Sequence, residues 1–155
     1  MKTLKILTDK HSMEGIAFKY GLLTFGGLLV FFLIMKFVGL VHIVELRSLN
    51  FLIMITGVWF ALKTYEKEHS GEMIYFRGLG LGALTTVFAV IPFALFLFIY
   101  LQFDQGFMLM IRQHEMFGQY LNPYIVSFLI AFEGSLSGFF IAFTLMQYMK
   151  KKYPS

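Results

Sequence analysis

The sequence has no cysteine, a single tryptophan, three prolines and few charges, and the absent thiols and scarce charges each exclude a class of protein. Without thiols there is no disulfide framework, no iron–sulfur ligation, no thiolate zinc site and no cysteine nucleophile. Charged residues make up only 14% of the 155 positions, against 58% hydrophobic, and the mean hydropathy is +0.73. A water-soluble domain of this size covers itself with more charge, about a quarter of its residues. Too little sequence lies outside the apolar stretches to build a second core, so residues 1–155 read as one membrane domain.

What is present is four long apolar stretches. A helix rises 1.5 Å per residue, so about 20 apolar residues cross a hydrocarbon core of about 30 Å. The pattern predicts spans over about 18–41, 46–65, 78–103 and 124–148, an all-α four-helix membrane bundle. The third stretch has no charged side chain at all. The first is interrupted by Lys36, which can lay its methylenes along the helix and put its ammonium at the headgroups. Pro92 removes an amide inside the third span and predicts a bend there. Asn122-Pro123 suits the turn into the first helical position of the fourth. The first stretch begins some twenty residues in and lacks a small-residue cleavage pattern, so it is predicted to remain in the mature protein.

Basic residues in short connections face the cytoplasm. Lys2, Lys5, Lys10, Lys19, Lys63, Lys67, Arg77, Lys150, Lys151 and Lys152 would share one side, and only Lys36, Arg47 and Arg112 the other. Both termini are therefore predicted to be cytoplasmic. The cluster Lys150, Lys151 and Lys152 is a candidate contact for anionic lipid headgroups, worth about 1 kcal/mol per residue near the surface. Nucleic acid is not an expected partner. Between the third and fourth spans, 104–122 places Met110, Ile111, His114, Phe117 and Leu121 on one helical face and Arg112, Glu115 and Gln119 on another. Either a short interfacial helix or an irregular loop with apolar anchors fits that spacing. The connection 66–77, with Glu66, Lys67, Glu68, His69 and Glu72 around Ser70-Gly71, reads as a solvated turn.

Helices in lipid associate through close backbone approach, and small residues mark where. Gly134 and Gly138 are spaced for it in the fourth span, as are Gly78 and Gly82 in the third. They pack either the bundle itself, or a second copy or partner helix. Glu133 stands apart from all of this. Nine residues in from Tyr124, it is about 13 Å along the helix, where a charged group costs roughly 2.5 to 3.5 kcal/mol. It must be protonated, paired or facing water. Lys36 and Arg47 sit near the far ends of their spans; Asn50, Thr56, Thr85 and Thr86 are the neutral candidates to hold it. The readings left open are a structural hydrogen bond within the bundle, a partner contact, and a proton or ion pathway.

Other chemistry is excluded more sharply. His11 and His69 fall on one side and His42 and His114 on the other, so no pair lies between spans to hold a haem. His42 with Glu45, and His114 with Glu115, could meet a metal, but their spacing is that of ordinary loop residues. The run 78–82 (GLGLG) follows no strand and precedes no Lys-Ser/Thr, so it is not a phosphate loop. No catalytic residue and no cofactor is assigned.

The order of Lys19-Tyr20-Gly21 entering the first span, 57–67 (GVWFALKTYEK) leaving the second, Phe76 with Gly82 entering the third, Tyr100 and Asp104 leaving it, and Pro123 before a last span bearing Gly and Ser carries a resemblance. It resembles a bacterial domain-of-unknown-function family of small four-span membrane proteins, mostly from Bacteroidota. The resemblance implies a four-helix protein of the bacterial inner membrane and carries over no catalytic or binding residue. Two functions follow as expectations: a noncatalytic accessory or structural subunit that packs with itself or a larger membrane complex, or a small proton- or ion-coupled carrier using Glu133.

Overall fold

The computed structural model describes residues 12–40, 44–69 and 74–152, with side chains described except at 44–47 and 151–152. The described residues form helices and no strand. Helix α1 is Met13–Val38, α2 Val44–Glu68, α3 Tyr75–Phe103, α4 Gln105–His114 and α5 Pro123–Lys152; a single 3-10 turn, Gly118–Tyr120, precedes α5. Four of them, all but α4, are long and apolar enough to cross a membrane.

Helices α1 and α5 start before the predicted spans because a polar side chain caps each of them ahead of the apolar core. The Ser12 hydroxyl accepts from the Gly15 amide (3.0 Å), which starts α1 five residues before 18. Gly39, at φ 77°, ends it: the left-handed conformation lets the amides of Gly39 and Leu40 return to the carbonyls of Lys36 and Met35. Position 41, where the first span was expected to end, lies outside the described residues. The Asn122 side chain accepts from the Ile125 amide (2.9 Å), and Pro123 takes the first position of α5, where its missing N–H costs nothing. Helix α3 runs unbroken through Pro92.

Spans that follow one another along the chain are antiparallel, and glycines set their register. Along α3 and α5 the contacts run from Gly82 with Ala142, through Thr86 with Gly138, to Val90 with Gly134, one number rising as the other falls. Between α1 and α2 the same pattern joins Thr24 to Gly57 and Gly27 to Ile53. Gly21 of α1 lies against Thr85 and Phe88 of α3, two helices running the same way. Helix α3 is the hub, packed on α5, α1 and α2. Accordingly 44% of its most apolar window is buried, against 22% for α1 and 28% for α2 and α5. The core runs through Leu28, Met54, Val58, Leu62, Leu81, Val90, Phe93, Ile141 and Met146.

Polar contacts brace both ends. At one end, Tyr20 and Thr64 share a hydrogen bond of 2.6 Å between α1 and α2, and Gln147 donates to the Tyr75 hydroxyl (3.0 Å) between α5 and α3. The expected solvated turn begins later than 66: α2 continues to Glu68, and Glu66 is buried in its last turn, taking a bond from Lys63 at 3.0 Å. Residues 70–73 of that connection lie outside the described residues. At the other end α4 is a helix, not a loop, but shorter and differently turned than the spacing suggested. Met108 is its buried residue, with Phe107 and Ile111 packed beside it on Leu101 and Val126, while Phe117 is exposed beyond its end.

Candidate functional site

Gly82 of α3 and Gly134 and Gly138 of α5 are taken up inside the bundle. A Cβ on Gly82 would stand 3.2 Å from Val58 Cγ1, and one on Gly134 would stand 2.8 Å from Val90 Cγ1; on Gly138 it would overlap the Thr86 side chain. Gly78 is buried in the first turn of α3. The face carrying Gly134 and Gly138 is therefore closed to a second copy or a partner helix, and of the two packing alternatives left by the sequence it serves the first.

Glu133 is on the other side of α5. It is exposed, and among the described residues nothing forms a hydrogen bond or ion pair with it. Three of the four expected neutral partners, the threonines, are engaged elsewhere. The hydroxyls of Thr85 and Thr86 donate to the carbonyls of Leu81 and Gly82 (2.8 and 2.9 Å), and that of exposed Thr56 to Leu52 (2.8 Å). The meeting of Val58, Gly82 and Ala142 fixes relative depth. Counting back eight or nine residues along α2 and α5, which run the same way, brings Asn50 level with Glu133 at about 12 to 14 Å from that point. Arg47 falls within a turn of the same level rather than at a distant helix end, because α2 begins deeper than α5; its side chain is outside the described residues. Asn50 Oδ1 is buried and bonds to nothing described.

The opposite case is Lys36, whose ammonium has partners within the bundle. Its ammonium donates to Asp104 Oδ2 and lies over the Tyr100 ring, 4.2 Å from the centroid, with Phe107 at 5.7 Å. The Tyr100 hydroxyl donates to the same carboxylate oxygen (2.8 Å), and the Phe107 amide to Oδ1 (2.9 Å). One side chain thus caps α4, pairs with the end of α1 and anchors the end of α3. Phe32 meets Tyr100 and Phe107 edge-on at 5.5 and 5.8 Å and walls the pair on its inner side. The Lys36 bond, then the Phe107 amide, hold the Asp104 carboxyl below its usual range, against a smaller opposing effect of burial. Sequence reasoning missed this pair; the available signal was two opposite charges each closing an apolar stretch, with Tyr100 one turn before the acid.

A groove of about 340 Å³ between α3 and α5 opens outward, lined by Ile91, Leu95, Phe98, Tyr124 and Phe128 with no charged residue. Ser127 lines it too, and its hydroxyl is buried without a bonding partner. By contrast Thr24, Thr56, Thr85, Thr86 and Thr144 all bond a carbonyl one turn back. Of the two histidine and acid pairs weighed for metal, only His114 with Glu115 lies among residues whose side chains are described. His114 bonds the Met110 carbonyl (2.9 Å) and is exposed like Glu115; His42 lies outside the described residues, as does the Glu45 side chain. No group of three potential ligands exists among the described residues. Lys150 is exposed, 5.9 Å from the Tyr75 centroid, while the side chains of Lys151 and Lys152 are outside the described residues.

Fold and composition together define a multi-pass, all-α membrane protein. No family model matches the chain, and no curated protein or solved structure matches it.

Proposed function

We propose that this protein is a noncatalytic accessory or structural subunit of a larger assembly in the bacterial inner membrane, with both termini cytoplasmic and Glu133 at its contact with another membrane protein. The observation that carries this reading is the exposed carboxyl of Glu133, well inside an apolar helix and without a partner among the described residues. An acid left against lipid tails costs a few kcal/mol unless something meets it, and nothing described within the bundle does. The resemblance to four-span bacterial proteins supports the choice of membrane, and the basic residues Lys19, Lys63, Lys67, Arg77 and Lys150 at one end support the orientation. Lys150 with its two neighbours would rest against anionic headgroups.

The carrier reading draws less support. A pathway group should line an interior route, whereas Glu133 faces away from the helices that would form one. Purification of the native protein in mild detergent should retain a stoichiometric membrane partner, and Glu133→Leu should lose it while the chain stays folded. A partner-free monomer in both cases would count against the proposal. A pH-dependent flux in proteoliposomes abolished by Glu133→Gln would replace it with the carrier.

A further inference from the structure

Six exposed residues of α5, Leu129, Glu133, Leu136, Phe140, Phe143 and Gln147, follow one another at intervals of four, three, four, three and four. That alternation is the seam along which one helix packs lengthwise on another. In lipid an apolar seam alone says nothing, since lipid tails satisfy it; a carboxyl within it does. The neighbouring Gly134 touches Val90, one residue past the midpoint of α3, so Glu133 lies near the middle of the bilayer.

Resting on the accessory-subunit reading, we propose that this seam seats a transmembrane helix of a different protein that carries a lysine or arginine at mid-membrane depth. Charge complementarity selects that occupant. Two of the cations whose side chains are described are already paired near helix ends, Lys36 with Asp104 and Lys63 with Glu66. Arg47, whose side chain is outside the described residues, is the one basic residue of the chain near the level of Glu133, and the Arg47→Gln variant tests its claim on that acid. A second copy docked seam to seam about a twofold axis along the membrane normal sets residues of equal depth opposite one another, bringing Glu133 toward Glu133. A foreign basic residue neutralises the acid instead, and each charge removes the other's cost of standing in hydrocarbon.

The test uses the full chain, fluorescently labelled at an added C-terminal cysteine, in phosphatidylcholine vesicles with an acceptor-labelled leucine–alanine transmembrane peptide bearing one central lysine. Energy transfer should show association about tenfold tighter than with the all-apolar peptide, the scale of an interhelical polar contact in lipid. Glu133→Leu should erase the difference, and Glu133→Lys with a central-glutamate peptide should restore it. Equal binding of lysine and apolar peptides overturns the proposal. So does Glu133-dependent association of the chain with itself. Tighter lysine-peptide binding by Arg47→Gln would also sink it, because it would mean that Arg47 already holds Glu133. If the lysine peptide binds but native membranes yield no partner, the accessory reading falls and the seam chemistry stands; a retained native partner with an indifferent lysine peptide does the reverse.

Discussion

The two sides of α5 obey opposite rules although both are largely apolar. On one, Gly134 and Gly138 let the backbone approach Val90 and Thr86 so closely that no side chain fits between. On the other, Glu133, Phe140 and Thr144 are exposed. The closed side builds the protein, and the open side is where another helix can be added. Hydrophobicity does not separate the two, because in a bilayer both interior and exterior are apolar; volume and charge separate them.

Substitutions can break that contrast in order of expected effect. Gly138→Leu places a branched side chain where Thr86 already is, and overpacking of this kind should cost upwards of about 3 kcal/mol. Thermal unfolding in detergent should show the loss, and a folded variant of ordinary stability would mean that the α3–α5 seam is not closed. Glu133→Leu should do the reverse, leaving the isolated bundle as stable as before or up to about 3 kcal/mol more so, since it removes an uncompensated acid. Destabilisation would reveal a partner within the chain.

Asp104→Asn should cost about 1 kcal/mol or less, because the carboxylate is 32% exposed and Lys36 37%. Its pH signature is more telling. Since the folded state holds this carboxyl below its usual range, its stabilising effect is complete above the unfolded pKa and disappears as pH falls through the lower folded one. Melting of the parent between pH 5 and about pH 2 should lose that increment, and Asp104→Asn should be flatter over the same window. Ser127→Ala should have the smallest effect, neutral or stabilising by up to about 1 kcal/mol, because the hydroxyl it removes is buried without a bond. A clear loss of stability in the same melts would assign that hydroxyl a partner.

The sequence made the spans legible because length and continuous apolarity are local properties, and Asn122-Pro123 announced the start of α5 by turn chemistry alone. The rotation of each helix about its axis was not legible. Apolar residues surround the spanning helices, so no polar stripe says that Glu133 faces out and Gly134 in. The tie between Lys36 and Asp104 was hidden for a different reason: 68 positions separate them, and only the side-by-side run of α1 and α3 in the same direction brings the two ends together. Arg47 does sit at the outer end of its helix, and what the sequence did not show is that α2 begins deeper than α5, which brings that end near the level of Glu133.

Helix α5 has 30 residues, about 45 Å at the usual rise, against a hydrocarbon slab of about 30 Å. The surplus must be absorbed by tilting or by projection past the headgroups. A thicker bilayer would draw the Lys150 end toward its surface, and a thinner one would push it away or lean it over. Bilayer thickness would thereby set how far the basic end of α5 stands from the headgroups.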